Sequence, residues 1–143
     1  MIPEDYDMKA TRAIASAKLL LADGDMEGAC NRTYYAMFDA AHAALLRSGA
    51  QISENEIKTH SGLIGAFGKH LVKTGLVSSD LGRSFNQVEQ VRLLADYTGD
   101  PISVEKATWA LTQAEVFLES LGKLRARDLS RENDLDSGDD FGL

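Results

Sequence analysis

Arg92, Asp96 and Tyr97 stand within one helical turn and a half of each other, and Asn31, Arg32, Tyr35, Asp39 and His42 recur at helical spacing in another stretch. These side-chain types suit a phosphate ester. A guanidinium offers phosphate a planar fork of donors, an imidazole exchanges protons near neutral pH, and amide and phenol groups fix orientation. Acid–base chemistry on such an ester needs a base, an acid and a cation for the developing charge. Arg92 is the candidate cation, with Asp96, Tyr97 and His42 as the other candidate catalytic groups. Asn31, Arg32 and Tyr35 line the same wall and are the candidate contacts to a bound ligand. His60 and His70 are further imidazoles that could serve. A plainer reading stands beside this one: Arg92 and Asp96 as an i,i+4 ion pair worth about 0.3–0.5 kcal/mol, and His42 as a structural residue of an apolar helix.

The stretch that must position the second group is Cys30 to Leu46, CNRTYYAMFDAAHAALL. At about 100° per residue, Asn31, His42, Tyr35, Asp39 and Arg32 share an arc of about 100°. Tyr34, Met37, Phe38, Ala40, Ala41, Ala44 and Leu45 cover most of the remaining circumference. A helix so apolar belongs in the middle of the fold. Its polar arc then needs partners, since an unpaired buried polar group costs about 1–3 kcal/mol. Glu89, Arg92 and Asp96 on another helix offer complementary charge, so the two stripes are expected to face each other.

The rest of the pattern is helical. Ala10, Ala13, Ile14, Ala17, Leu20 and Leu21 make an amphipathic face over residues 4–22. Gly24 supplies a left-handed cap and Asp25 an N-cap for the helix from Met26 to Arg47. Ser53-Glu54-Asn55-Glu56 has the form of a capping box and predicts a third helix to about Lys73, unless the segment starts late, after a Lys58-Thr59-His60 loop. The glycines at 62, 65 and 68 fit either that break or a close approach of backbone or ligand. A fourth helix is expected from Ser79 to about Tyr97, ended by Gly99-Asp100-Pro101, and a fifth after Ser103 with an apolar stripe from Ala107 to Leu124. Short connections between helices give an all-α, up-and-down bundle of four to five helices, with the Met26–Arg47 helix the most buried.

Composition narrows the function further. The chain has 143 residues, two prolines and a net charge of −7. Its last sixteen residues hold six acids against Arg131, so five of those seven charges sit there. The body is nearly neutral and lacks the broad basic surface of a non-specific nucleic-acid binder. One cysteine excludes an internal disulfide and makes a cysteine metal site untenable, which suits a reducing cytoplasm. No metal or other cofactor is expected. No run reaches the roughly 18 apolar residues of a membrane span. Residues 1–127 read as the bundle and 128–143 as an acidic, disordered tail.

Four pieces in order carry a resemblance: NRTYYAMFDAAHAALL (Asn31–Leu46), KTHSGLIGAFGKHLVKTG (Lys58–Gly75), RLLADYTG (Arg92–Gly99) and AEVFLESL (Ala114–Leu121). Together they resemble the HEPN domain, over roughly residues 5–125, and in particular the small stand-alone prokaryotic HEPN proteins. The resemblance implies a helical bundle that dimerises, and a place in a toxin–antitoxin or defence module. It implies action on RNA or a nucleotide, with a minimal nucleotidyltransferase as antitoxin partner. In some such pairs the partner adds nucleotides to a tyrosine beside the active site. Many HEPN domains are metal-independent ribonucleases whose motif is Arg, then four to six residues, then His; cleavage of this kind needs a base for the 2′-hydroxyl proton, an acid for the leaving 5′-oxygen and a cation for the phosphorane charge. The resemblance makes Arg92 the cation and Asn31, Arg32 and Tyr35 the contacts to nucleotide or RNA. Here Arg92 is present, and Asp96 or Tyr97 stands near the usual His position. That departure favours a module that binds a nucleotide or partner over one that cuts RNA. A purely structural helical adaptor is the remaining alternative.

Overall fold

The computed structural model describes the backbone of residues 1–141 and the side chains of residues 1–124. The described residues form five helices and no strand: α1 (Pro3–Asp23), α2 (Met26–Arg47), α3 (His60–Phe67), α4 (Ser79–Thr98) and α5 (Val104–Phe141). None of them is long and apolar enough to cross a membrane.

Local chemistry fixes most of the ends. The α1–α2 corner closes because Gly24 takes φ 88°, a conformation that costs glycine little, and because the Asp25 carboxylate accepts from the Gly28 amide at 2.9 Å. Arg47, in the last turn of α2, ties the far ends of the pair together through Glu4, at 3.3 Å, and Asp7.

α2 packs against α1, α3, α4 and α5, so it is the central helix of the bundle. Eleven of its 22 residues are buried, including Tyr34, Met37 and Leu45. Opposite it, Phe67, Phe85 and Phe117 meet with ring centroids 5.3–5.7 Å apart. These rings come from α3, α4 and α5, and they knit three helices into one core.

The third helix differs from the longer alternative. Ser53 does cap, accepting from the Glu56 amide at 3.2 Å, but only for a turn. The helix begins at His60, with Thr59 as its N-cap accepting from Gly62 at 2.9 Å. The chain folds tightly there: a methyl group at Gly62 would lie 2.2 Å from the Glu56 carbonyl oxygen. The close approach at this glycine is therefore made by the chain's own backbone. Gly62→Ala should destabilise the fold by about 1–3 kcal/mol, read as a lower midpoint in urea, whereas Gly65→Ala, with open space around it, should be neutral or stabilising. Equal effects at the two positions would contradict this packing. Beyond Phe67 the helix widens into a π-helical turn, Gly68–Val72, closed by Lys73 N–H to Gly68 at 2.9 Å.

The backbone of α5 continues to Phe141, past Arg127 where the apolar pattern ends. The bundle expected from the sequence ends at residue 127, and 128–143, expected as a disordered acidic tail, has side chains that lie outside the described residues.

Candidate functional site

α4 carries Arg92 inward. The guanidinium carbon lies 4.4 Å from the Tyr34 ring centroid and 6.0 Å from that of Tyr35. Only 15% of its side chain is exposed, yet its Nε has no hydrogen-bond partner and its ion pair with Asp96 is long, at 3.9 Å. A delocalised cation resting on an aromatic face is stabilised by about 0.5–2 kcal/mol and keeps its remaining donors for an anion. Arg92 and Asp96 open onto a groove of about 260 Å³ whose other wall includes Asn31, Cys30 and Glu27. The Cys30 thiol is buried and pushed up to about 11, so it takes no part as a thiolate.

Behind Arg92 lies a polar chain that spans three helices. The Tyr34 hydroxyl is 2.8 Å from His60 Nδ1 and 3.3 Å from Glu89 Oε2. Burial, reinforced by Glu89, pushes the phenol well above its ordinary pKa, so it stays protonated. An ionised Glu89 can only accept. Both bonds hold together when Tyr34 donates to Glu89 and accepts from His60 Nδ1–H. His60 sits among the rings of Tyr34, Tyr35 and Phe38, with centroids 5.0–5.7 Å away.

The polar arc of α2 divides between two places. Asn31 faces the Arg92 groove. Arg32, Tyr35, Asp39 and His42 instead line a larger cleft of about 720 Å³, closed by Tyr6, Lys9 and Arg12 of α1 and by Glu54, Ile57 and Lys58. Tyr35 joins the two, with Arg32 5.5 Å from its ring centroid and Arg92 at 6.0 Å. Thus Arg92, Asp96 and Asn31 come together, and Arg32 and Tyr35 adjoin them. His42 stands apart, its ring stacked on Tyr6 at 4.0 Å. Tyr97 is 94% exposed and lines neither space.

Spacing did not single out Tyr34, which reads as one more apolar position of α2. It also named His60 only as a spare imidazole and Glu89 only as a charge on α4. The signal for Glu89 was its place one turn before Arg92. Among the described residues no three His, Cys, Asp or Glu side chains converge as a metal-ligand set.

Burial shifts three groups in the larger cleft. Tyr6 is raised by it, with Asp39 and Asp5 adding to the rise. Asp39 is raised by desolvation against the pull of Lys9 and Arg32. His42 is lowered by burial, then by the N-terminus and Lys9, and its Nδ1 has no partner. The unfolded chain takes up the His42 proton near the ordinary 6.5 while the folded chain resists it. Stability from this group is therefore complete above that pH and falls as pH drops through it. His42→Phe, which keeps a ring against Tyr6, should lose less thermal stability between pH 7.5 and 5.5 than wild type; an unchanged loss would show that His42 does not titrate this way.

The HEPN domain family matches residues 4–124. The chain belongs to the HEPN domain family. Among curated relatives, a UPF0332 protein of Thermotoga maritima is 36% identical over 133 residues, covering 91% of this chain and 95% of its own length. A UPF0332 protein of Gloeobacter violaceus is 35% identical, covering 69% of this chain and 76% of its own. A protein of Methanocaldococcus jannaschii named "Putative toxin" is 32% identical, covering 80% of this chain and 81% of its own. In this HEPN domain Arg92 is a cation on a tyrosine face, in a groove.

Proposed function

We propose that this HEPN protein is the toxin-like component of a toxin–antitoxin or defence module and that it binds RNA or a nucleotide phosphate at Arg92. The observation that carries the reading is the Arg92 guanidinium, seated on Tyr34, short of acceptors and open to a groove beside Asn31. The names of the M. jannaschii relatives support the toxin setting.

Binding is better supported than cleavage. No imidazole lines the Arg92 groove: His60 Nδ1 is occupied by Tyr34, and His42 lines the other cleft. The groove thus holds the cation of a ribonuclease site without an adjacent base suited to neutral pH.

The reading extends to partners. A homodimer would set two Arg92 grooves about one axis, and Leu93, Leu94 and Tyr97 leave apolar area exposed on the same helix. A minimal nucleotidyltransferase would be the antitoxin, with the exposed Tyr97 hydroxyl as its acceptor.

The test is expression of the chain with and without a nucleotidyltransferase encoded beside it, together with binding of labelled single-stranded RNA to the purified protein. Growth inhibition relieved by the partner, and saturable RNA binding without loss of full-length RNA, are expected. Neither growth inhibition nor RNA binding would overturn the proposal, and RNA cleavage by pure protein would replace binding with catalysis.

A further inference from the structure

We propose that Tyr34 is a positioning residue: its hydroxyl holds the Glu89 carboxylate off the Arg92 guanidinium and so keeps that cation open to an incoming phosphate. The role rests on Arg92 being the phosphate-binding group. Glu89 and Arg92 stand three residues apart on α4, a spacing at which side chains on a helix meet and opposite charges ordinarily pair. Both are half-buried, where an ion pair is screened less than in water. Yet no salt bridge joins them among the described residues. Arg92 meets instead the more exposed Asp96, at the long distance of 3.9 Å.

Tyr34 accounts for the diversion. Its hydroxyl lies 3.3 Å from Glu89 Oε2 and 2.8 Å from His60 Nδ1. A phenol has a single hydrogen to give. His60, at the start of α3, donates to the phenol oxygen, so that hydrogen goes to Glu89. A carboxylate of α4 is thereby bonded to a side chain of α2 that α3 holds in turn. Burial raises the phenol most, Glu89 raises it further and Arg92 pulls it down, so both charges act on this one hydroxyl. Without the hydroxyl, Glu89 loses that partner, and the cation one turn along α4 comes within its reach. Arg92 has a buried Nε–H with no acceptor. A direct pair would satisfy both groups and take from Arg92 the donors that a phosphate needs.

Fluorescence anisotropy with labelled single-stranded RNA, on the full chain and on Tyr34→Phe, Glu89→Gln and the double variant, tests the role. Tyr34→Phe keeps the ring beside Arg92 and removes only the hydroxyl. It should weaken binding about tenfold, the scale of one charge-assisted contact. Glu89→Gln alone should bind at least as tightly as wild type, its amide oxygen still an acceptor for the phenol. The double variant should regain most of what Tyr34→Phe loses, so that Glu89→Gln helps far more in that background than alone. An equal gain in both backgrounds overturns the proposal, because it reports only the removal of a nearby negative charge. So does a double variant as weak as Tyr34→Phe, or a Tyr34→Phe protein that binds as wild type does. The proton–nitrogen correlation signal of the Arg92 Nε–H reads the ion pair without RNA. It should shift and exchange more slowly with water in Tyr34→Phe, and return in the double variant. A signal that stays in place overturns the proposal. One that moves as expected in a protein that binds no RNA upholds the restraint on Glu89 and refutes the proposed function alone.

Discussion

Arg92→Ala should abolish growth inhibition and reduce RNA binding by about 50-fold or more, while costing about 1–3 kcal/mol of stability. The functional loss follows from removing the cation that meets Asn31 in the groove; charge-assisted contacts to an anion are worth about 1.5–3 kcal/mol each, and a guanidinium can make two. The stability loss follows from its packing, because the side chain is 15% exposed and covers the buried Tyr34 ring at 4.4 Å. Arg92→Lys separates the two effects. Lysine retains the charge and much of the stem, so stability should recover most of the loss, but it lacks the planar fork and RNA binding should recover only in part. If Arg92→Ala stays folded at assay temperature and binds RNA as wild type does, Arg92 is a structural residue and the proposed function fails. Urea unfolding and fluorescence anisotropy on the same preparations distinguish these outcomes.

The parts of this protein that were legible in its sequence are those governed by neighbours along the chain. Asp25 and Gly24 mark the α1–α2 corner, Gly99 and Pro101 the end of α4, and the structure follows them. The third helix shows the limit of that logic. Ser53 has the right neighbours for a capping box, but the chain instead turns so that Ile52 and Ile57 pack against the core and His60 reaches Tyr34. That contact spans 26 residues, and no periodicity carries it. The polar arc of α2 was legible as an arc, but its destination was not. Asn31 and Arg32 stand at its two edges, about 100° apart, so one faces α4 while the other faces the cleft beside α1. One stripe on one helix serves two spaces, which a sequence pattern cannot divide without knowing where the flanking helices cross.

Phe85→Ala should be the most destabilising of the substitutions considered, at about 3–5 kcal/mol, against a total stability of about 5–15 kcal/mol for a domain of this kind. Phe85 is fully buried, and its ring lies 5.7 Å from Phe67, 5.3 Å from Phe117 and 6.1 Å from Tyr34. Removing it takes away the shared neighbour of α3, α5 and α2, and the surrounding rings are too rigid to refill the space. Phe85→Leu keeps most of the volume and should cost about 1–2 kcal/mol. The effect reaches the groove as well, since the Tyr34 ring neighbours both Phe85, at 6.1 Å, and Arg92, at 4.4 Å. A cavity at Phe85 frees the Tyr34 ring to shift, loosening its bonds to His60 and Glu89 and with them the seat of Arg92. Phe85→Leu, still folded at room temperature, should therefore bind RNA several-fold more weakly than wild type even though it touches no ligand. A loss below about 1 kcal/mol for Phe85→Ala in urea unfolding would mean that the three-phenylalanine cluster does not hold the helices together. Full RNA binding by Phe85→Leu would mean that the Tyr34 ring does not position Arg92.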